Sequence, residues 1–248
     1  MRFSLTAASV IVILGLVSIG AVGQETKSTG TLPAKSTAAV ADRYAWRPLF
    51  DGKTLTGWKA TDFFRPGKVH LEPEFHGKET AIVVDAGSSL SGVNWAGDPV
   101  PKLNYEIALE TMKVKGSDFM CGLTFPVADS YASLIMGGWG GYTTGISSLD
   151  LMDASENETR LSLEYVPDKW YRVRVRVTET KIQAWLDDKQ IIDVVTKGRK
   201  VHLRFGDIGK SIPIGVANYQ TESAYRAIKL RLLTDKEVAE TLAQSTKR

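Results

Sequence analysis

Between Tyr171 and Val177 arginine and valine alternate without a break. Val173, Val175 and Val177 fall on one side of an extended chain, with Arg172, Arg174 and Arg176 on the other. Period-two segregation of this kind is the spacing of a half-buried β-strand. The same period runs through much of the chain. Tyr105, Ile107 and Leu109 alternate with Glu106, Ala108 and Glu110; Phe119, Cys121, Leu123 and Phe125 form a second set; Ile228, Leu230 and Leu232 alternate with Lys229 and Arg231. Residues 181–186 and 190–195 flank Asp187-Asp188-Lys189, which reads as a hairpin. Short strands at this spacing, without intervening helical repeats, predict an all-β antiparallel sandwich. A short C-terminal helix over residues 234–242 is the exception. Thr234 caps it, Glu237 completes a capping box three residues on, and Val238 and Leu242 share a face.

The ends of the 248-residue chain carry different information. Residues 1–23 read as an export signal: Arg2, an apolar stretch over 5–17, and Ala21-Val22-Gly23 as a small-residue cleavage site. An uncleaved anchor is the competing reading, and the small residues after Ser18 favour cleavage. Residues 24–43, rich in Ser, Thr, Ala and Lys, read as a disordered linker before a folded domain over 44–248. The expected location is therefore exported: periplasmic, cell-surface or secreted. Cys121 is the sole cysteine, which excludes an intrachain disulfide and reads as a small buried hydrophobe. Thirty-one basic residues against 28 acidic ones give a net charge of +3, too even for a nucleic-acid partner or an anionic membrane surface.

The folded region opens on P-L-F-D-G-K-T-L-T-G-W at residues 48–58. Leu49 and Phe50 form an apolar pair, Asp51-Gly52 a tight turn, and Trp58 an indole to bury. This string resembles the entry motif of the 3-keto-disaccharide hydrolase domain family. Lys169-Trp170-Tyr171 with R-V-R-V-R-V, then I-Q-A-W-L-D-D-K-Q-I-I-D, is similar to that family's late hairpin, and Ile214-Gly215-Val216 followed by A-Y-R-A-I-K-L-R-L-L to its closing strand. The resemblance covers roughly residues 46–233. It implies a concanavalin-like jelly roll that acts on glycosides whose sugar carries a 3-ketone. The ketone acidifies the neighbouring C–H, a base removes the proton, and the resulting enolate expels the aglycone; a carboxylate or His and an electrophile for the enolate oxygen are required. Many members carry Asn-Ser-Gly followed by an aromatic and an Arg on a central strand. Here residues 116–126 stand in that place, with Pro126 at the Arg position.

The richest polar stretch is residues 147–160, S-S-L-D-L-M-D-A-S-E-N-E-T-R, which follows Gly137-Gly138-Trp139-Gly140-Gly141-Tyr142. On a strand Asp150 and Met152 share one face, Leu151 and Asp153 the other. Asp150, Asp153 and Glu156 are the expected catalytic carboxylates, as base, as metal ligands, or both. Trp139 and Tyr142 are expected to stack on the sugar, with Glu158, Arg160, Asn218 and Gln220 as further binding residues. The alternative is a solvated acidic loop with Arg160 as counter-ion. Asp153-Ala154-Ser155-Glu156 matches half of the laminarinase pattern Glu-x-Asp-x-x-Glu, but Leu151 takes the place of the first Glu, so the retaining two-carboxylate mechanism lacks its nucleophile. His70, His76 and His202 lack ligand-like spacing, although His70 and His76 can meet across a turn near Glu72 and Glu74. A divalent metal is thus an open cofactor expectation. The arginine stripe either is solvated and paired with acidic neighbours or faces a ligand groove, and the solvated reading is favoured. The expected partner is a glycoside, and a non-catalytic carbohydrate-binding or cell-surface module is the alternative function.

Overall fold

The computed structural model describes residues 43–245, and the expected signal and most of the expected linker lie outside them. Two antiparallel sheets face each other. Sheet I runs β13 (Lys189–Val195), β12 (Lys181–Leu186), β11 (Trp170–Val177), β6 (Tyr105–Gly116), β15 (Thr221–Leu232), β4 (Ala81–Val84) and β3 (Val69–Glu72), with β1 (Arg47–Pro48) also against β15. Sheet II runs β10 (Leu161–Ser162), β9 (Thr143–Ser147), β8 (Ser130–Gly137), β7 (Cys121–Val127), β14 (Gly215–Tyr219), β5 (Leu90–Trp95) and β2 (Trp58–Ala60). The alternating apolar residues fill the space between them, among them Ile107, Val173, Val175 and Tyr225 from sheet I and Cys121, Leu123, Phe125 and Leu134 from sheet II. This is the expected all-β sandwich. Burial in that core pushes the Cys121 thiol up to about 12, which leaves it inert at neutral pH. Among the described residues no helix is long and apolar enough to cross a membrane.

The entry motif works as a staple across the core. Asp51 accepts hydrogen bonds from the Lys53 and Thr54 amides, which holds its carboxyl below the usual range, the Thr54 amide having the larger effect. The turn drives Leu49 and Phe50 inward and returns the chain at Trp58, whose indole N–H donates to the Leu49 carbonyl at 2.9 Å. Trp58 meets Trp95 edge to face at 5.5 Å. Gly57 has φ +80, and a Cβ there would lie 2.6 Å from the Trp95 ring, so the turn admits no other residue without strain.

Several local expectations meet their geometry. Asp187 and Asp188 both have positive φ between Leu186 and Lys189, a two-residue hairpin whose twist suits its strands. Helix α1 (Asp235–Ser245) starts with the capping box: the Glu237 carboxylate accepts from the Thr234 amide at 2.8 Å, and the Glu237 amide donates to the Thr234 hydroxyl at 3.3 Å. Others are corrected. The arginine stripe is paired with acidic neighbours, but only Arg172, 59% exposed and held by Asp188, is a solvated member. Glu106, 1% exposed, accepts from Arg174 at 2.5 Å, Arg176 at 2.9 Å and Arg231 at 2.8 Å, while Arg174 stacks on Trp185 at 3.7 Å. Residues 147–153 do not continue as a strand, because Asp150 and Leu151 have φ of 50° and 70° and turn the chain. His70 and His76 have exposed side chains, at 45% and 42%, and each lies 3.9 Å from a different carboxylate, Asp85 and Asp168.

Candidate functional site

Sheet II presents a trough on its outer side, and the register explains why. Where Cys121, Leu123 and Phe125 point into the core, Gly122 and Thr124 point out. Across the sheet the outward row through Gly122 reads Gly145, Ile135, Gly122, Ala217 and Gly92; the row through Thr124 reads Ser147, Ser133, Thr124, Gly215 and Asn94. Two neighbouring rows made almost wholly of small side chains leave a channel where a sheet would normally carry bulk. Phe63 and Ile208 pack onto Ala217 at one end of it, with Leu90, Phe119 and Leu203 beside them.

The rest of the channel is a pocket of about 380 Å³, within the size range of small-molecule sites. Phe119, Ile135, Leu90 and Tyr219 form its apolar wall, and Asp118, Ser147, Arg204 and Asp207 its polar groups, with Trp139 and Phe205 at the mouth. Trp139 is 43% exposed and Phe205 fully exposed. Trp139 is set by a left-handed turn between β8 and β9, in which Gly137, Trp139, Gly140 and Gly141 all have positive φ. Asp118 locks that turn: one carboxylate oxygen accepts from the Gly140 amide at 3.0 Å, the other from the Phe119 amide at 2.8 Å. Arg204 arrives from the segment before the 3₁₀ turn Asp207–Ser211. Its guanidinium is held by Asp153 at 2.6 Å and lies 5.7 Å from the centre of the Trp139 ring. Asp207 forms an ion pair with Lys210 at 3.3 Å.

The acidic stretch builds a frame beside this pocket. It packs on the outer side of β9, where a Cβ on Gly145 would come within 3.0 Å of the Ala154 carbonyl. Asn157 is its centre: the side-chain amide donates to the Ile146, Met152 and Asp153 carbonyls, and its oxygen accepts from the Thr159 amide and hydroxyl. Glu156 accepts from the Asp153 amide. Asp150 and Glu158 share Arg199; the Lys200 amide foremost holds Asp150 low, and the Arg199 hydrogen bond does so for Glu158.

Of the expected site residues, then, Trp139 lines the pocket and Asp153 reaches it through Arg204, whereas Asp150, Glu156 and Glu158 are tied into the flanking loop. Arg160 and Tyr142 are exposed outside the pocket wall. Asn218 is buried between the sheets, donating to the Val84 carbonyl at 2.9 Å, because its neighbours Ala217 and Tyr219 take the outward positions. Gln220 sits in a turn with φ 47° and donates to the Ser88 carbonyl. Among the described residues no three His, Cys, Asp or Glu side chains converge as a metal-ligand set, so the residues present do not fit the expected divalent metal. Asp118, Arg204, Phe205 and Asp207 escaped sequence reading. The one signal for the last three is the R-F-G-D run at residues 204–207, which sets an aromatic between charges in a stretch that continues no strand.

No curated protein matches the chain in sequence. A Crh5 transglycosylase solved in complex with NAG shares the fold, with 9% identity, a TM-score of 0.52, and coverage of 78% of this chain and 86% of that one. A Bacillus subtilis protein with a galectin-like fold aligns with a TM-score of 0.49 at 9% identity, covering 77% of this chain and 96% of the other. The carbohydrate-binding module CBM66 of Bacillus subtilis aligns at 11% identity with a TM-score of 0.41, over 71% of this chain and 95% of its own. A family sequence model matches residues 45–231, and by that match the chain belongs to the 3-keto-alpha-glucoside-1,2-lyase-like domain family.

Proposed function

We propose that the sheet II pocket binds a 3-keto-glycoside and that this chain cleaves it by ketone-assisted elimination, followed by hydration. The observation carrying this reading is that one aromatic-walled pocket holds both a guanidinium fixed from behind, Arg204, and a carboxylate, Asp207. Trp139 and Phe205 offer flat faces to the apolar C–H side of a pyranose. With the 3-ketone in place, Asp207 takes the proton from C2, and the C2–H electron pair moves into the enolate, whose negative charge gathers on O3. Arg204 donates hydrogen bonds to that oxygen; a guanidinium has five donors, and the Asp153 bond uses one. The enolate electrons then form the C1–C2 double bond as the C1–O bond breaks, and the pair leaves with the aglycone oxygen, which takes the proton that Asp207 removed from C2 and so restores the carboxylate. Water addition to the double bond completes the hydrolysis. Asp153 is a positioning residue in this scheme, and Asp150, Glu156 and Glu158 hold its loop. Export follows from the reading of residues 1–23 and is part of the same proposal.

The test is release of aglycone from a 3-keto-glucoside and from its unoxidised parent. Release from the ketone alone is expected. Arg204→Gln should lower kcat by about 10²–10³ and Asp207→Asn by about 10²–10⁴. A wild-type protein inert on a 3-keto panel overturns the reading. The fully exposed Phe205 beside Trp139 favours a second one, an aromatic platform that binds glycans without turnover; glycan binding weakened by Trp139→Ala, with no product formed, supports that instead.

A further inference from the structure

The outer face of sheet I, opposite the pocket just described, is dense in charged side chains and contains a gap. Its rows follow from the register. One row runs Gln183, Arg176, Glu106 and Arg231; another runs Arg172, Glu110 and Arg226. Between them lies the row Trp185, Arg174, Ala108 and Lys229, with Trp46 beside Lys229. Ala108 is a short side chain among long charged ones, and at its flank a bulge between Arg226 and Lys229 places a second, Ala227, at φ 51°, where another long residue would stand. The result is a groove of about 180 Å³ floored by Ala108 and Ala227 and walled by Trp46 and Trp185.

The charges around the gap are unevenly paired. Arg174, Arg176, Arg231 and Lys229 crowd here against two carboxylates, Glu106 and Glu237. Lys229 has no carboxylate partner among the described residues, and its ammonium lies 5.2 Å from the centre of the Trp46 ring. The other cations are matched or over-matched: Arg172 by Asp187 and Asp188, and Arg226 by Glu110 and Glu79, with Glu110 and Asp188 themselves in the groove wall. That leaves the Lys229 ammonium without a carboxylate of its own, beside an Arg174 that shares Glu106 with two other arginines, at a concave point whose ends are indoles. Cations held over indole faces are partly desolvated, which strengthens their pull on an anion.

We propose that this groove is a second ligand site, for a carboxylate-bearing sugar ring such as a uronate. The carboxylate sits above Ala108 between Arg174 and Lys229, and the ring lies against an indole wall. Its volume is below the roughly 300 Å³ of ordinary small-molecule pockets, so it suits one ring rather than an extended chain. The site is independent of catalysis in sheet II and would hold the protein to acidic glycan.

Calorimetric titration with free glucuronate tests it, with glucose and inorganic sulfate as parallel arms. Wild-type protein should bind glucuronate at millimolar concentration, more weakly as salt rises, and should not bind glucose. Ala108→Leu, which fills the gap, and Lys229→Gln should each weaken glucuronate at least tenfold, whereas Trp139→Ala on the other sheet should leave it unchanged. If Ala108→Leu does not fold, Lys229→Gln decides alone. Absence of glucuronate binding, or binding indifferent to Lys229→Gln, overturns the site. Sulfate binding as tight as glucuronate overturns its assignment to a sugar ring.

Discussion

Replacing Glu106 with Gln should damage this protein more than any exposed substitution. The side chain is 1% exposed, and its two oxygens meet three guanidiniums: Arg174 at 2.5 Å, Arg176 at 2.8 Å and Arg231 at 2.6 Å. These arginines come from β11 and β15, the strands on either side of β6, so Glu106 ties the centre of sheet I together. Glutamine keeps the shape and one acceptor oxygen but removes the charge, leaving Glu237 to serve Arg176 and Arg231 and nothing for Arg174. Breaking a buried pair in this way costs about 3–5 kcal/mol. For a domain of this size that lowers Tm by roughly 6–20 °C. Urea unfolding followed by tryptophan fluorescence measures it without adding a screening salt. Arg174→Gln in the same background should recover part of the loss, a coupling of about 1–3 kcal/mol. A loss below about 1 kcal/mol, the scale of exposed ion pairs, would refute the reasoning: the arginines would then rehydrate freely, and the cluster would not brace the sheet.

Two other perturbations test the frame. Gly57→Ala should cost about 1–3 kcal/mol, because its Cβ would press on Trp95, whereas Gly52→Ala, at φ +71 with open space around it, should cost less; equal losses in urea melts would show that Trp95 packing is not the constraint. Glu237 is held down at about 2, first by the Arg231 hydrogen bond, against its ordinary 4.5. A depressed carboxylate stabilises the fold above its unfolded value, and that stability is lost as pH falls from about 5 toward 2. The full difference is about 3 kcal/mol, reduced to ~1–2 kcal/mol by screening of a side chain 23% exposed. Wild-type stability should therefore fall more steeply than that of Glu237→Gln over this window, and parallel pH profiles would contradict it.

What the sequence determined by itself is local. Period-two alternation placed Val173, Val175 and Val177 inside because a strand has only two faces. The Thr234–Glu237 box and the Asp187-Asp188 turn were legible because each is closed by residues within a few positions of one another. The entry motif was legible for the same reason: Asp51, Gly57 and Trp58 satisfy one short stretch of chain. What only the tertiary structure decided is which groups meet across strands. The arginine stripe was visible as a face, but its carboxylate sits 68 positions away in Glu106, so solvation or burial was undetermined until β6 paired with β11. Asp118, Trp139, Arg204 and Tyr219 form one pocket because sheet order brings β7, β8 and β14 side by side beneath the loop that carries Arg204. The trough itself is made by small side chains, Gly92, Gly122, Gly145 and Ala217, that leave no apolar or charged pattern along the chain. They line up only once the register is set, and a cavity, being an absence of side chain, has no periodicity to read.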